Sequence, residues 1–233
     1  MYTLTGVSKT FRARGRARGG TVTAVRDLDL SIADGEWLAI QGRTGSGKST
    51  LLQLLGGMDR PSSGTVALAG RDMGAMKETQ LTGIRAAYIG FVFQTFNLIP
   101  TLSAIENVEA ALVPLRTPPV QRRERAAEAL AAVGLADRAG HLPSELSGGQ
   151  QQRVGIARAL VKEPSVVLAD EPTGNLDVDT RDELLSLLEQ VWTANQLTLV
   201  LVTHDSAVAA RAERVAVMYD GQLSINPTDT RIG

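Results

Sequence analysis

Eight consecutive residues, Gly42 to Ser49, read GRTGSGKS and match the pattern G-x-x-x-x-G-K-[ST]. Glycines at this spacing allow backbone N–H groups to surround phosphate oxygens, and the helix that follows directs its positive N-terminal end at the same anion. Lys48 is placed for the β- and γ-phosphates of a nucleotide such as ATP, and Ser49 for Mg²⁺. Arg43 either points to solvent or adds charge near the phosphates. The residues predicted to bind nucleotide here are Gly42, Arg43, Thr44, Gly45, Ser46, Gly47, Lys48, Ser49 and Thr50.

Three further polar residues stand at the ends of apolar, strand-like runs. VVLADE ends on Asp170 and Glu171, and LVLVTH ends on His204. Because successive side chains of a strand project to opposite faces, the two carboxylates can serve different targets, Asp170 a magnesium ion and Glu171 an attacking water. Open α/β sheets bind ligands at the carboxyl ends of their strands. A solvated acid pair and a purely structural histidine are the alternatives.

A second glycine-rich helix start lies far downstream of the first. Residues 146–150 read LSGGQ and lead into the amphipathic run QQRVGIARAL. Ser147 is a natural N-cap, and the two glycines expose N–H groups at a helix start, where the helix dipole attracts anions. An ordinary Ser-Gly-Gly helix cap is the alternative interpretation.

The elements that must position these residues alternate between strands and helices. Strands are predicted at 3–11, 25–32, 37–42, 88–94, 166–172 and 197–205, and a hairpin at 215–223. Helical patterns follow the first glycine-rich loop, occupy 121–135 and 179–192, and dominate the region 94–160. This alternation is typical of an α/β protein with a mostly parallel sheet. The arginines of the stretch 12–18 are predicted to lie in a solvated loop, and a contact with lipid headgroups or the nucleotide is the alternative.

Composition limits the classes of protein that remain. The 233 residues fit one large domain, or a core with an inserted lobe. The chain has no cysteine, which excludes disulfides and thiolate metal sites, and its net charge of -1 lacks the basic surplus typical of nucleic-acid binding. We therefore expect no nucleic-acid partner. The N-terminus lacks the apolar core of a signal peptide, and no run approaches the ~18 apolar residues of a membrane span.

LSGGQ and the motifs around it resemble the ATP-binding cassette (ABC) family. The motifs stand in the order of that family: GRTGSGKST, Gln94, LSGGQ, LADE, GNLD at 174–177 and His204. The resemblance covers essentially the whole chain. It implies an α/β fold: a P-loop NTPase core with a mostly parallel sheet, an antiparallel β subdomain and an inserted α-helical subdomain. The expected limits are 1–93 and 161–233 for the core with its β subdomain, and 94–160 for the helical signature subdomain.

The resemblance also implies a role for each matching residue. Two ATPases of this family bind head to tail, so Ser147, Gly148, Gly149 and Gln150 would meet the γ-phosphate of ATP held by a second copy. Lys48, Glu171 and His204 would be catalytic. Ser49, Gln94 and Asp170 would bind Mg²⁺, with Gln94 relaying the nucleotide state to the helical subdomain. Asp177 would shape the dimer contact, and Phe11 would stack on adenine. Arg43 stands where one branch of the family commonly has a proline.

Longer stretches of sequence around these motifs, such as LLGGMDRPSSG and HLPSELSGGQQQR, resemble those of the lipoprotein-releasing and macrolide-exporter branch of the family. That branch implies a cytoplasmic ATPase, held at the inner face of the cell membrane by a separate permease, which exports or extracts lipoprotein, drug or peptide. The alternative is an ATPase of a non-transporting signalling complex, as in cell-division relatives. A cassette acting on DNA or ribosomes would need coiled coils or two cassettes, and a P-loop kinase leaves LSGGQ unexplained.

Overall fold

The computed structural model describes residues 1–12 and 20–225. The strands in these ranges are β1 (Tyr2–Arg12), β2 (Thr21–Ile32), β3 (Trp37–Gln41), β4 (Ser63–Leu68), β5 (Arg71–Asp72), β6 (Ile89–Phe93), β7 (Val166–Asp170), β8 (Thr198–Thr203), β9 (Arg214–Tyr219) and β10 (Gln222–Ile225). The α-helices are α1 (Lys48–Leu55), α2 (Glu78–Tyr88), α3 (Ala104–Glu109), α4 (Pro119–Ala132), α5 (Gly148–Leu160), α6 (Val178–Asn195) and α7 (Ser206–Ala209). Short 3-10 helices occupy Ala110–Leu115, Ala136–Arg138 and Pro143–Glu145.

Each predicted strand is present, with shifted ends. Helix α2 and strands β4 and β5 were not predicted, and Tyr88 ends α2 instead of opening β6. The loop prediction is wrong for Arg12, which is the last residue of β1. Arg14, Arg16 and Arg18 lie outside the described residues.

The chain divides into two compact units, Met1–Leu81 with Val200–Gly233, and Thr82–Leu199. The divisions fall inside α2 and inside β8. The predicted limits of a helical subdomain at 94 and 160 stay a prediction.

The first unit contains an antiparallel sheet of strand order β2-β1-β4-β5. Tyr2 pairs with Ile32 on one side and with Leu68 on the other. Alternate residues of β1 and β2 are buried, so one face of this sheet forms a core. The hydroxyl of Tyr2 donates a hydrogen bond of 2.9 Å to the carbonyl of Leu55 and so ties this sheet to the end of α1.

The same unit holds β3, which carries the phosphate-binding loop at its carboxyl end. Strand β3 pairs in parallel with β9, and β9 pairs antiparallel with β10. Strand β8 lies on the other side of β3. Residues 37–40 of β3 are all buried, as expected of a central strand with both faces covered.

The second unit contains the parallel pair β6 and β7, with Gly90 opposite Val167 and Phe93 opposite Asp170. Helix α5 lies close to β6: a Cβ added to Gly90 would stand 2.7 Å from the carbonyl oxygen of Ala159. Apolar residues of α5, such as Val154 and Ile156, are fully buried. The pair β6–β7 and helix α5 therefore set the positions of Gln94, Asp170 and the LSGGQ segment.

Candidate functional site

The phosphate-binding loop runs from the end of β3 to the first turn of α1. Gly47, the residue before the helix, has φ of 108°, and a Cβ there would overlap the carbonyl oxygen of Ala24. A Cβ on Gly42 would overlap the carbonyl oxygen of Met218 and stand 2.7 Å from the hydroxyl of Ser46. Glycine is therefore required at both positions, at one by conformation and at both by close approach of backbone.

Lys48 is buried at the base of this loop, with only 5% of its surface exposed. Its Nζ donates hydrogen bonds to the carbonyl oxygens of Gly42 at 2.7 Å and Arg43 at 3.2 Å. Among the described residues, no hydrogen-bond partner is present for the buried Oγ of Ser46. The ammonium group of Lys48 and the hydroxyl of Ser46 lie in a loop that also presents backbone N–H donors. Together these groups form a site that fits a phosphate group.

The upper part of the loop opens onto a cavity of about 590 Å³. Arg43, Thr44, Gly45 and Ser49 are exposed, and Thr50 is half-buried. His204, which directly follows β8, is exposed and lines the same cavity as Arg43 and Thr44. The structure thus brings together the phosphate-binding loop and the predicted strand-end histidine. The cavity is also lined by Gln41, Gly42, Val217, Met218 and Tyr219.

Phe11 lies in β1 of the same unit, opposite Val22 of β2, and is 40% exposed. The Nζ of Lys9 stands over the ring, 5.0 Å from its centroid. Lys9 is fixed there by Asp59, 2.6 Å away, and by the carbonyl of Arg60 at 2.8 Å. An ammonium group covers one face of the ring, so a base would stack on the other face. Lys9 was not predicted from the sequence.

In the second unit, Gln94 follows β6 and contacts the GNLD segment. The amide of Asn175 donates to the carbonyl of Gln94 at 3.0 Å, and the side-chain amide of Gln94 lies 3.5 Å from Oδ1 of Asn175. A Cβ on Gly174 would stand 2.8 Å from Nε2 of Gln94. These contacts explain why a glycine and an asparagine precede Leu176 and Asp177.

The two acidic residues after β7 have different backbone conformations. Asp170 is the last residue of the strand and is half-buried. Glu171 is half-buried outside the strand, with φ of 44°, in the left-handed region that non-glycine residues rarely adopt. The expectation that strand alternation separates the two carboxylates is therefore wrong. A left-handed turn redirects Glu171, and such strain is common at functional sites.

The LSGGQ segment forms the start of α5, as predicted. Ser147 is the N-cap: its Oγ accepts from the N–H of Gln150 at 3.3 Å, and its own N–H donates to Oε1 of Gln150 at 2.9 Å. The hydroxyl of Ser147 keeps its own hydrogen for donation. Gly148 and Gly149 are half-buried. The helix start therefore presents N–H groups and one hydroxyl.

Asp177 is the N-cap of α6. Its carboxylate accepts from the N–H of Thr180 at 3.0 Å and from the hydroxyl of Thr180 at 2.8 Å. These hydrogen bonds hold the pKa of Asp177 below its usual value. A Cβ on Gly149 would stand 2.5 Å from the methyl carbon of Thr180. Thr180, a residue that the sequence did not single out, thus connects Asp177 to the LSGGQ helix; a D-x-x-T capping pattern was the available signal.

The predicted magnesium ligands are Ser49 of the first unit and Gln94 and Asp170 of the second. Hydroxyl, amide and carboxylate oxygens are hard ligands of the kind that Mg²⁺ prefers, so the donor set fits the ion. Among residues 1–12 and 20–225, no group of three or more histidine or acidic residues could hold a metal by itself. The three residues stay a prediction.

Comparison with known proteins agrees with this arrangement. Residues 25–174 match the model of the ABC transporter family. The chain is 50% identical over 201 residues to the macrolide export ATP-binding/permease protein MacB of Rhodopseudomonas palustris (strain HaA2), covering 86% of this chain but only 31% of that protein. It is 44% identical over 226 residues to the uncharacterized ABC transporter ATP-binding protein YvrO of Bacillus subtilis (strain 168), covering 97% of this chain and 96% of that one.

Among solved structures, the dimeric post-hydrolysis state of the ATP-binding cassette MJ0796, bound to ADP and Pi, has a TM-score of 0.88. It is 41% identical, and the match covers 96% of this chain and 97% of that one. The chain therefore belongs to the ABC transporter family, and its fold is that of an ATP-binding cassette, which confirms the predicted fold class. No helix in the part of the chain that the structure describes is long and apolar enough to cross a membrane.

Proposed function

We propose that the chain is the ATP-binding and ATP-hydrolysing subunit of an ABC export system. The observation that carries the proposal is the phosphate-binding loop, where Lys48 is buried against the carbonyls of Gly42 and Arg43 beside the spare hydroxyl of Ser46. The neighbour MJ0796, which binds ADP and Pi, supports ATP as the nucleotide.

In this proposal the first unit binds the triphosphate. The N–H groups of the loop surround the phosphate oxygens, and Lys48 shifts its ammonium group from the loop carbonyls to the β- and γ-phosphates. Phe11 stacks on adenine with the ring face that Lys9 leaves open. Ser49, Gln94 and Asp170 would hold Mg²⁺, and the ion would neutralise part of the phosphate charge.

The second unit supplies the carboxylate that activates water as a general base. Glu171 accepts a proton from the water whose oxygen attacks the γ-phosphorus, the bond to the β-phosphate oxygen breaks, and ADP and phosphate leave. His204 contacts the γ-phosphate and stabilises its developing charge. The left-handed backbone at Glu171 fixes where this carboxylate stands.

Two copies of the chain complete each site. The start of α5 offers N–H groups and the Ser147 hydroxyl but no cation, so it acts on a phosphate that another copy already holds. A head-to-tail dimer places the Ser147–Gln150 segment of one copy on the ATP of the other, with Asp177 at the contact. The dimeric structures of MJ0796 support this assembly.

Dimer closure and opening would drive a membrane permease on a separate chain, and export is favoured by the macrolide and pyoverdine export names of similar proteins. The site of action is then the cytoplasmic face of the membrane, where ATP is available. The helical subdomain, predicted at 94–160, would pass the motion from Gln94 to that permease.

The chemistry is tested with Glu171→Gln in the purified 233-residue chain. We expect ATP hydrolysis to fall by at least about a hundredfold, because a general base contributes that much or more. The variant should still bind ATP and should accumulate as a dimer with ATP, which light scattering after gel filtration measures. Glu128→Gln, an exposed carboxylate of the same unit, is the matched control and should hydrolyse ATP at the wild-type rate.

Hydrolysis by Glu171→Gln at the control rate, or absence of an ATP-dependent dimer, would contradict the proposal. The transport part has a separate test. The membrane protein that copurifies with the chain in detergent is reconstituted with it in vesicles, and cargo efflux is measured with ATP. A complex that hydrolyses ATP but moves no cargo would support a signalling role instead.

A further inference from the structure

The segment after Gln94 contains an unusual turn. Phe96 and Asn97 both have positive φ, 61° and 48°, although neither is glycine. The turn is closed locally by the N–H of Asn97, which donates to the carbonyl of Thr95 at 2.6 Å, and by the Thr95 hydroxyl, which donates to Oδ1 of Asn97 at 2.9 Å. Consecutive left-handed residues are unfavourable, so the surrounding structure must hold them.

Arg158, in the last turn of α5, holds this segment. Its Nη1 donates to the carbonyl oxygen of Asn97 at 2.5 Å, and its Nη2 donates to that of Phe96 at 2.7 Å. One planar guanidinium group thus binds two consecutive carbonyls of the turn through two different nitrogens, a rigid two-nitrogen geometry that the single nitrogen of a lysine does not offer. Burial lowers the pKa of Arg158, because the charged group is desolvated where it makes these bonds.

Two glycines of α5 bring the same turn close to the helix. A Cβ on Gly155 would lie 3.7 Å from the carbonyl oxygen of Phe96. A Cβ on Gly148, at the helix start, would lie 3.8 Å from the tip of the Phe96 ring. The turn therefore follows α5 from its first residue to Arg158, and the side-chain amide of Asn175 donates to the carbonyl of Gln94.

We propose that Arg158 is a positioning residue that fastens the Gln94–Asn97 segment to the LSGGQ helix. A displacement of Gln94 by nucleotide then moves Ser147 and Gly148 as part of the same body, because the guanidinium group ties the turn to the helix. Arg158 would act through the carbonyls of Phe96 and Asn97, to which it donates, and not on the reacting atoms. The inference rests on the proposed function, since it assigns a role in joining nucleotide binding to dimer formation.

The test compares Arg158→Met with Arg125→Met in the full chain. Arg125 is the matched control, because it also donates to a backbone carbonyl near the end of α5, that of Val161 at 2.7 Å, and its side-chain partners among the described residues are Val161 and Glu163. Four quantities are measured for each variant: kcat for ATP hydrolysis, the Kd of the single chain for a fluorescent ATP analogue, the melting temperature, and ATP-dependent dimer formation in the Glu171→Gln background.

We expect Arg158→Met to lower kcat and to weaken the dimer by roughly tenfold, since two hydrogen bonds from a charged donor are lost. The Kd for the nucleotide should stay within about twofold of wild type, because the phosphate-binding loop and Phe11 belong to the first unit. Arg125→Met should leave kcat, Kd and dimer formation unchanged. Equal effects of the two substitutions on kcat, or a parallel loss of kcat, nucleotide affinity and melting temperature, would overturn the inference.

Arg158→Lys keeps the experiment informative if Arg158→Met does not fold. Lysine retains the charge but has one donor nitrogen in place of the two nitrogens that bind the two carbonyls, so kcat should fall part of the way with Kd unchanged. A lysine variant with wild-type kcat would contradict the need for the two-nitrogen guanidinium contact. If the wild-type chain itself hydrolyses no ATP, the proposed function is wrong; if it does and Arg158→Met behaves like Arg125→Met, only the present inference is wrong.

Discussion

The two glycine-rich helix starts of this protein are built differently. The phosphate-binding loop carries its own cation, because Lys48 is buried under it and bound to its carbonyls. The helix start at LSGGQ presents N–H groups and the hydroxyl of Ser147. The oxygen of that hydroxyl also caps the helix. One site can therefore attract an anion by itself, whereas the other only adds donors to an anion that is brought to it. This difference is the physical basis for expecting two copies to share each nucleotide.

The largest effect is expected from removing the cation of the first site. Lys48→Met should lower ATP hydrolysis by at least about a hundredfold, since loss of one preorganised charge-stabilising donor has an effect of this size. Nucleotide binding should weaken as well, which titration with a fluorescent ATP analogue measures. Lys77→Met, an exposed lysine of the same unit, is the control. A Lys48→Met variant with unchanged nucleotide affinity would mean that the two helix starts are less different than the structure indicates.

Gly148 and Gly149, at the LSGGQ helix start, are a matched pair of positions for a stability test. Gly149→Ala should lower the free energy of unfolding relative to Gly148→Ala by about 1–3 kcal/mol, because only the Cβ at 149 overlaps Thr180. Urea unfolding at neutral pH measures both variants. Adding Thr180→Ser to Gly149→Ala removes the overlapping methyl group and keeps the hydroxyl on Asp177, so stability should return. Equal stability of the two alanine variants would show that this contact is not tight.

The proposed stacking of adenine on Phe11 is tested with Phe11→Ala. We expect KM for ATP to rise roughly tenfold with kcat unchanged, because stacking of one base on an aromatic ring contributes on this scale. Val22→Ala, the exposed strand neighbour of Phe11, should leave KM unchanged. Steady-state hydrolysis over a range of ATP concentrations distinguishes them, and the same KM for both variants would exclude Phe11 as the stacking residue.

The smallest effect concerns the cap of α6 and depends on pH. Hydrogen bonds from Thr180 lower the pKa of Asp177 below its ordinary value of 3.8 in the folded chain. The ionised carboxylate therefore stabilises the fold at every pH above 3.8, and this contribution is lost as the pH falls through the lower, folded-state pKa. The difference in urea midpoint between wild type and Asp177→Ala should be constant from neutral pH to about pH 5 and shrink below about pH 4. A constant difference at all pH values would contradict this account.

Much of the fold could be predicted because its signals are local. The glycine pattern at 42–47 fixes a loop between a buried strand and a helix, and Ser147 with Gln150 forms the expected cap. Helix α2 was missed because its pattern has few buried residues, Leu81 alone among those described. The backbone at Glu171 was missed because nothing in LADEP indicates a left-handed residue before a proline.

The residues that sequence reasoning missed at the site act through distant partners. Lys9 reaches Phe11 only because Asp59 and Arg60 hold its ammonium group, and these lie far along the chain. From the sequence, Arg158 is predicted to be an ordinary charged residue near the end of an amphipathic helix, where a cation interacts favourably with the helix dipole. Its two bonds to the Gln94 turn depend on tertiary packing that the spacing of residues does not reveal.

The left-handed backbone at Glu171 has a consequence for engineering this protein. Glycine adopts such a conformation without steric strain, so Glu171→Gly should relieve strain that the natural residue carries. A selection for heat resistance alone would then favour the loss of the very carboxylate proposed to activate water. Thermostable variants of this chain should therefore be screened for turnover at every round, with position 171 sequenced first.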